Sequence, residues 1–592
     1  MAFYPRLTGG GSGRTLTEYF AGYNHNLRIR DGEFFETQNL SLQHYPMLSS
    51  RPKRGRISGV AGAGGAVTPF TDLQAIIAKD ALYWVDDGTL YANGNATGLT
   101  GLQTELPTQL VSMGAYICIF PDQKYINTMD LTDYGSMGAD WSYEGDITYT
   151  MCHADGEYYT SVTQSAEPPE SPSNGDIWVE MDGSAVHEYS VTMTTWVTLE
   201  TVYTRLDFTT QGQAPAAFKE MDGVNVSGAT QDDLNGNKIM YAVGQDGDSQ
   251  KDFIVLVGIC GPTHTDEDAT MRITRKIPTM DYVCEAQNRL WGCFYGNDGT
   301  QNINELYCCA LGDFRNWEQY LGISTDSWRA SRGSDGPWTG CINYLGTPTF
   351  FKENVIHPIQ VSTSGAHQVG DIPARGVQQG SNRSLCVVNE TLYYKSRTGI
   401  MAYQGGMPAE VGQALGDEKY YEAAAGAFGQ RYYISMKDAQ NAWHLFCYDA
   451  GRGMWMHEDA SHCEMFASMD DELYALCDNG ITAINGTVGT LEEEISWSCT
   501  TGLMTYEYPD KKYIGRFNIR VNMPMNAKLR MYIEYDSSGN WMYAGEYRLP
   551  HTGTVNIPLR PRRCDHLRLR FEGSGDIRLY SIAKVVEKGS DM

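Results

Sequence analysis

The sequence predicts an all-β protein: a β-propeller with small β modules inserted in it and a C-terminal β-sandwich. Three observations carry this. Short apolar runs are separated by Gly, Asn and Asp turns spaced too closely for helices of 3.6 period. A unit of Leu-Tyr strand, glycine turn and returning strand recurs along the chain. Roughly the last hundred residues change to clean alternation of apolar and polar side chains.

Residues 281–320 display the unit. Asn288-Arg289 is a turn, Leu290–Tyr295 a strand, Gly296–Asn302 a loop and Ile303–Leu311 a second strand; Gly312-Asp313 closes it before Trp317. The pattern returns in ALYWVDDGTLYANG at 81–94, TLYYKSRTGIMAYQGG at 391–406 and ELYALCDNGITAINGT at 472–487. Each opens on Leu-Tyr (Leu82-Tyr83, Leu392-Tyr393, Leu473-Tyr474) and turns at a glycine (Gly88, Gly399, Gly480). Related pairs lie at 116–128 and 429–458. A four-stranded unit of about 40–50 residues is a propeller blade, and about five or six blades are recognisable between residues 60 and 490.

Taken in order, residues 1–60 are an arm and first strands, with a hairpin turn at Asp31-Gly32 and a basic cluster of Arg51, Lys53, Arg54 and Arg56. Blades occupy 61–154 and 281–490. Between them, 155–280 opens on Pro168, Pro169 and Pro172 and reads as inserted β modules. Residues 415–430 are one of the few stretches compatible with a short helix. Residues 491–592 alternate Arg516, Asn518 and Arg520 against Phe517, Ile519 and Val521, which is a sandwich strand. The sandwich carries Arg560, Arg562 and Arg563, so it and the cluster Arg51, Lys53 and Arg54 are the candidate interfaces.

The 592 residues carry a net charge of −27, which repels free nucleic acid and disfavours a general DNA-binding surface. No basic-then-apolar leader opens the chain and no run of 18 apolar residues spans a membrane. The 14 cysteines lack Cys-x-x-Cys spacing and read as buried reduced thiols, with Cys308 and Cys309 on opposite faces of one strand.

Motifs for chemistry are sparse. His457-Glu458 and His462 have the wrong spacing for zinc on one helical face. Gln231–Gly236 lacks the first and last ligands of a calcium loop, so Asp246, Asp248 and Asp252 are the weak metal candidates. GVAGAGG at 59–65 lacks phosphate-cradle spacing, and there is no Gly-x-Ser-x-Gly elbow. SRGSDGPW at 331–338 loosely resembles the Asp-box turn of sialidase propellers but departs from its spacing. Asp470-Asp471 and Glu492–Glu494 read as solvated charges. Trp178 and Trp196 are candidate glycan contacts, because an apolar ring face suits a pyranose. No catalytic set and no cofactor are expected, and the chain reads as not an enzyme.

FAGYNHNLRIRDGEF near the start resembles the opening of propeller-type structural proteins of tailed bacteriophages. The internal blade is similar as well, through Asn288, Arg289, Leu290, Trp291 and Gly292, then Leu311, Gly312, Asp313, Asn316 and Trp317. GCINYLGTPTFFKENVIHPI at 340–359 and RRCDHLRLRFEGSGDIRLYSI at the C-terminal end extend the likeness. The resemblance covers most of 15–60, 280–490 and 560–585. It implies a virion protein similar to DNA-stabilisation or tail-hub proteins at the head–tail junction. Such a protein is made in the host cytoplasm, assembles as a homo-oligomeric ring with portal, adaptor and tail proteins, and conducts DNA without reading its sequence. The alternative is a receptor- or glycan-binding tail protein that uses the insert at about 165–205. A propeller glycosidase needs paired carboxylates at the channel mouth, which the sequence does not place.

Overall fold

A computed structural model describes residues 12–61, 67–209, 216–247, 251–297, 299–362, 366–505, 511–524, 526–559 and 562–587. Among them, seven blades form a ring, more than the five or six recognisable in the sequence. Four-stranded antiparallel sheets run over 73–96, 109–136, 282–331, 340–369 and 386–410 (blades 1 to 5). Strands from Tyr420–Phe428 to Met454–Asp459 form blade 6, and strands from Cys463–Met469 to Thr490–Leu491 form blade 7. The first strand of each blade lies beside that of the next, with the turn Asn382–Ser384 between blades 4 and 5, and blade 7 returns to blade 1. Near the axis Arg383 reaches across from that turn to Glu464 of blade 7, at 3.7 Å.

The missed blade is 340–369. It has no Leu-Tyr opening, and Pro348 and Pro358 sit inside its strands, where proline normally argues against one. The stretch 415–430, compatible in sequence with a short helix, is instead the end of a short 3-10 turn, Gln413–Leu415, followed by the inner strand Tyr420–Phe428. Its small residues serve close packing at the axis, since a Cβ on Gly426 would lie 2.4 Å from Phe466 Cβ. Burial takes alternate strand residues into opposite seams: Cys308 joins the core between blades 3 and 4, Cys309 that between blades 2 and 3.

Two additions complete the molecule. Between blades 2 and 3 a closed six-stranded barrel runs from Ala139–Cys152 to His264–Arg275, with its own core. Its ends are adjacent, because Ala139 pairs with Arg275. The four-stranded sheet Val162–Thr198 grows from one barrel loop. The insertion thus begins earlier than residue 155. The second addition is the sandwich, which is built from both ends of the chain. Ser12–Thr17 and Leu48–Ser50 pair with Arg578–Glu587, and Glu33–Gln38 pairs with Ser496–Thr501. One of its sheets continues into blade 6 through Tyr23 opposite Trp455. The N-terminal strands are therefore part of the sandwich, and residues 1–11 of the expected arm lie outside the described residues. Gly55–Ile57 then enters blade 7 between Gly480–Ala483 and Thr490–Leu491, so the start of the chain closes the ring. Among the described residues no helix is long and apolar enough to cross a membrane.

Candidate ligand-facing platform on the inserted module

The sheet Val162–Thr198 has one face in the barrel core and one face outward. Ile177, Val179 and Val186 are buried with the barrel, so the alternation turns Trp178, Glu180 and His187 to the other side. Cross-strand register places His187 opposite Trp178 and Tyr189 opposite Trp196. The expected pair Trp178 and Trp196 is thereby brought together, with ring centroids 5.9 Å apart. His187 stacks on Trp178 at 4.7 Å and Tyr189 meets Trp196 edge-on at 5.3 Å.

Polar groups fix these rings. Trp178 Nε1 donates to Ser165 O at 3.0 Å. His187 Nε2 lies 3.1 Å from Glu180 Oε1, and its Nδ1 lies 3.1 Å from Thr198 Oγ1. All four rings are half-buried, leaving flat apolar area beside a carboxylate and a hydroxyl. Such a surface can stack a pyranose ring and hydrogen-bond its hydroxyls. His187, Tyr189, Glu180 and Thr198 went unremarked in the sequence. Their signal was the period-2 alternation in VHEYS and TWVT.

The other candidates are redistributed. Arg51 and Arg54 are not a docking surface: they are 6 % and 4 % exposed. Arg51 holds Glu492 at 2.7 Å, while Arg54 holds Glu458 at 2.7 Å and Asp459 at 2.5 Å. Lys53 donates to Glu493 O at 2.6 Å. The basic cluster is an internal clasp tying the N-terminal segment to blades 6 and 7, and Glu492 is its partner rather than a solvated charge. Arg562 and Arg563 are exposed on the sandwich; Arg560 lies outside the described residues.

Of the weak metal candidates, Asp246 is ion-paired with Arg205 at 2.8 Å, Asp252 is 2 % exposed and Asp248 lies outside the described residues. His457 is half-buried against His444 and Thr37, and desolvation followed by the His444 charge pushes its pKa down to about 4. His462 instead sits with Glu464 and Asp478, one ligand atom of each within 4.8 Å of the others. That group is already committed: His462 Nδ1 is 2.5 Å from Asp478 and Glu464 faces Arg383.

No family model and no curated protein matches the chain. Among solved structures it is similar to an exo-β-1,3-galactanase from Phanerochaete chrysosporium, at 8 % identity over 51 % of this chain and 94 % of that one, TM-score 0.20. It is also similar to a puromycin hydrolase, at 10 % identity over 83 % of this chain and 64 % of that one, TM-score 0.20. Both are enzymes on propeller folds, which overturns the expectation that the chain is not an enzyme, since the architecture does not set catalysis aside. At these identities and scores the likeness extends to the fold and to no reaction or residue.

Proposed function

We propose that the chain is a virion structural protein of a tailed bacteriophage, a component of a ring-shaped tail hub or head–tail connector. The resemblance over 15–60, 280–490 and 560–585 supports this reading. The observation that carries it is charge placement on the sandwich. A chain of net charge −27 exposes Arg516, Arg520 and Arg563 on paired strands of one sheet, with Arg562 just before the last of them. That cationic face complements the acidic remainder of a second copy, and such a heterologous contact repeats into a ring where its rotation closes. The DNA conduit in this reading is the bore between copies. An acidic wall lets DNA slide without adhering. Electron microscopy of the purified protein and of virions tests it. Rings of several copies at the head–tail junction support the hub, and a fibre-tip location sinks it.

A second reading, a receptor- or glycan-binding tail protein, is favoured by the outward platform of Trp178, His187, Tyr189 and Trp196. Binding of cell-wall glycan by the full chain, lost in Trp178→Ala with Trp196→Ala, supports it. A glycan array with no signal removes it.

A further inference from the structure

We propose that Ser334, His357 and Asp371 form an acyl-transfer site that hydrolyses esters of small neutral acyl groups. The three residues come from separate segments that meet at the seam of blades 3 and 4. Ser334 lies on the connection between Trp328–Ser331 and Gly340–Tyr344, the last strand of blade 3 and the first of blade 4. His357 is the second residue of Ile356–Val361, and Asp371 follows His367–Val369.

The hydrogen bonds run in the order a nucleophilic serine requires. His357 Nδ1 lies 2.7 Å from Asp371 Oδ1 and 3.2 Å from Gly370 O. Two acceptors at Nδ1 place the proton there. Nε2 then presents its lone pair to Ser334 Oγ, at 3.2 Å. His357 is fully buried, with Trp338 edge-on at 5.3 Å, so its orientation is fixed. Burial lowers the imidazole pKa, against the pull of Asp371, so the ring is a neutral base at neutral pH. Arg332 pairs with Asp371 and outweighs the effect of burial there, keeping the carboxylate charged.

The loop also offers a place for the oxyanion. Lys352, 1 % exposed, donates to Ser334 O and Gly336 O, each at 2.7 Å, and lies 4.5 Å from the Trp338 ring. In a trans peptide the carbonyl and the following N–H point opposite ways. Drawing Ser334 O inward to Lys352 therefore turns the Asp335 N–H away from Lys352, on the residue that follows the serine. Among the described residues no acceptor takes that N–H. A donor so placed stabilises a tetrahedral oxyanion. The exposed Asp335 carboxylate disfavours anionic acyl groups, and Arg332 is already neutralised.

The step balances without a cofactor. Ser334 Oγ bonds to the acyl carbon as its proton passes to His357 Nε2. The carbon–alkoxy bond breaks and the alcohol leaves with that proton. Water, deprotonated at the same nitrogen, then attacks the acyl-serine; the acyl carbon–Oγ bond breaks, His357 returns the proton to Ser334 Oγ, and the acid leaves. Ser334 and His357 are the catalytic residues, and Asp371 positions His357.

The same contacts would also merely tie the loop to blade 4, so the test reads chemistry. The full chain is treated with a fluorophosphonate probe, its adducts are mapped by peptide mass spectrometry, and p-nitrophenyl acetate hydrolysis is followed against pH. The expected result is an adduct on Ser334 that Ser334→Ala lacks, with hydrolysis falling about 100-fold or more in Ser334→Ala and His357→Gln. The rate should rise as His357 loses its proton below about pH 6.5, in a field set by Asp371, Arg332, Lys352 and Asp335. Asp371→Asn should lower the rate and shift that profile. An unlabelled Ser334 in the native chain, or hydrolysis unchanged in Ser334→Ala, overturns the proposal, whatever the folding of the His357 variant.

Discussion

Single residues carry unequal weight, and the clasp around Arg54 shows why. Arg54 is almost wholly buried and holds Glu458, itself 4 % exposed, together with Asp459. Removing one partner of a buried pair leaves a charge with neither water nor counter-ion. Arg54→Ala should therefore cost about 3–5 kcal/mol, measurable as a shift in the urea midpoint. Lys53→Ala, which gives up one surface bond to a carbonyl, should change little. The clasp also sets the acid limit. Burial acts to raise the carboxyl pKa of Asp459 and Glu492, but the guanidinium groups of Arg54 and Arg51 outweigh it and hold both below the usual range. A depressed carboxyl stabilises the fold above its unfolded pKa of about 4, and that contribution is lost as pH falls through the folded value. His457, pushed down to about 4, begins the loss earlier, because the unfolded imidazole takes its proton from about pH 6.5 downward. Thermal melts should fall in two stages, a first between about pH 6.5 and 4 and a second below it. His457→Asn should shrink the first stage, to which the buried His357 and His367 also contribute, and leave the second.

Elements explain which parts of the fold could be read in advance. The blades with Leu-Tyr openings were legible because one residue pattern encodes both the strand and its turn. Blade 340–369 was not, because prolines occupy its strands and its seam is filled by Phe350 and Phe351 without that opening. The strand Tyr420–Phe428 was obscured by its alanines, which favour a helix in isolation but suit the crowded axis. The platform was half legible: the tryptophans stood out, while their neighbours depended on register. The Ser334 group was illegible, since its members are scattered over three segments with no motif linking them. Most hidden was the closure of the ring by Gly55–Ile57, a contact more than 400 residues away in the chain. There a Cβ on Gly55 would sit 1.7 Å from Val488 O. Gly55→Ala should displace the closing strand, and hydrogen exchange should rise in 463–491 before it rises in blades 2 to 4. Uniform exchange across all blades would rule out this account of closure.

At the scale of the molecule, the insertion is separable and the propeller is not. Blades share cores with both neighbours, whereas the barrel keeps an internal core of its own, including Tyr149, Leu206, Ile254 and Ile273. Its attachment is polar and local. Arg275 bonds Asp222 within the barrel and Met137 O at the propeller, and Asn316 of blade 3 bonds the Gly223 N–H and Met221 O. Because Ala139 and Arg275 are paired neighbours, a turn of a few residues can replace everything between them. The excised chain should keep a cooperative melt with a midpoint lowered by only a few degrees. The isolated 139–275 segment should fold alone and show its own near-ultraviolet aromatic signal. The two products also divide the functions. Ring formation should remain with the propeller and sandwich, which carry the arginine face, and glycan binding should travel with the barrel and its sheet. A propeller that unfolds on excision would mean that blades 2 and 3 depend on the barrel to hold their seam, and the insertion would then be part of the scaffold.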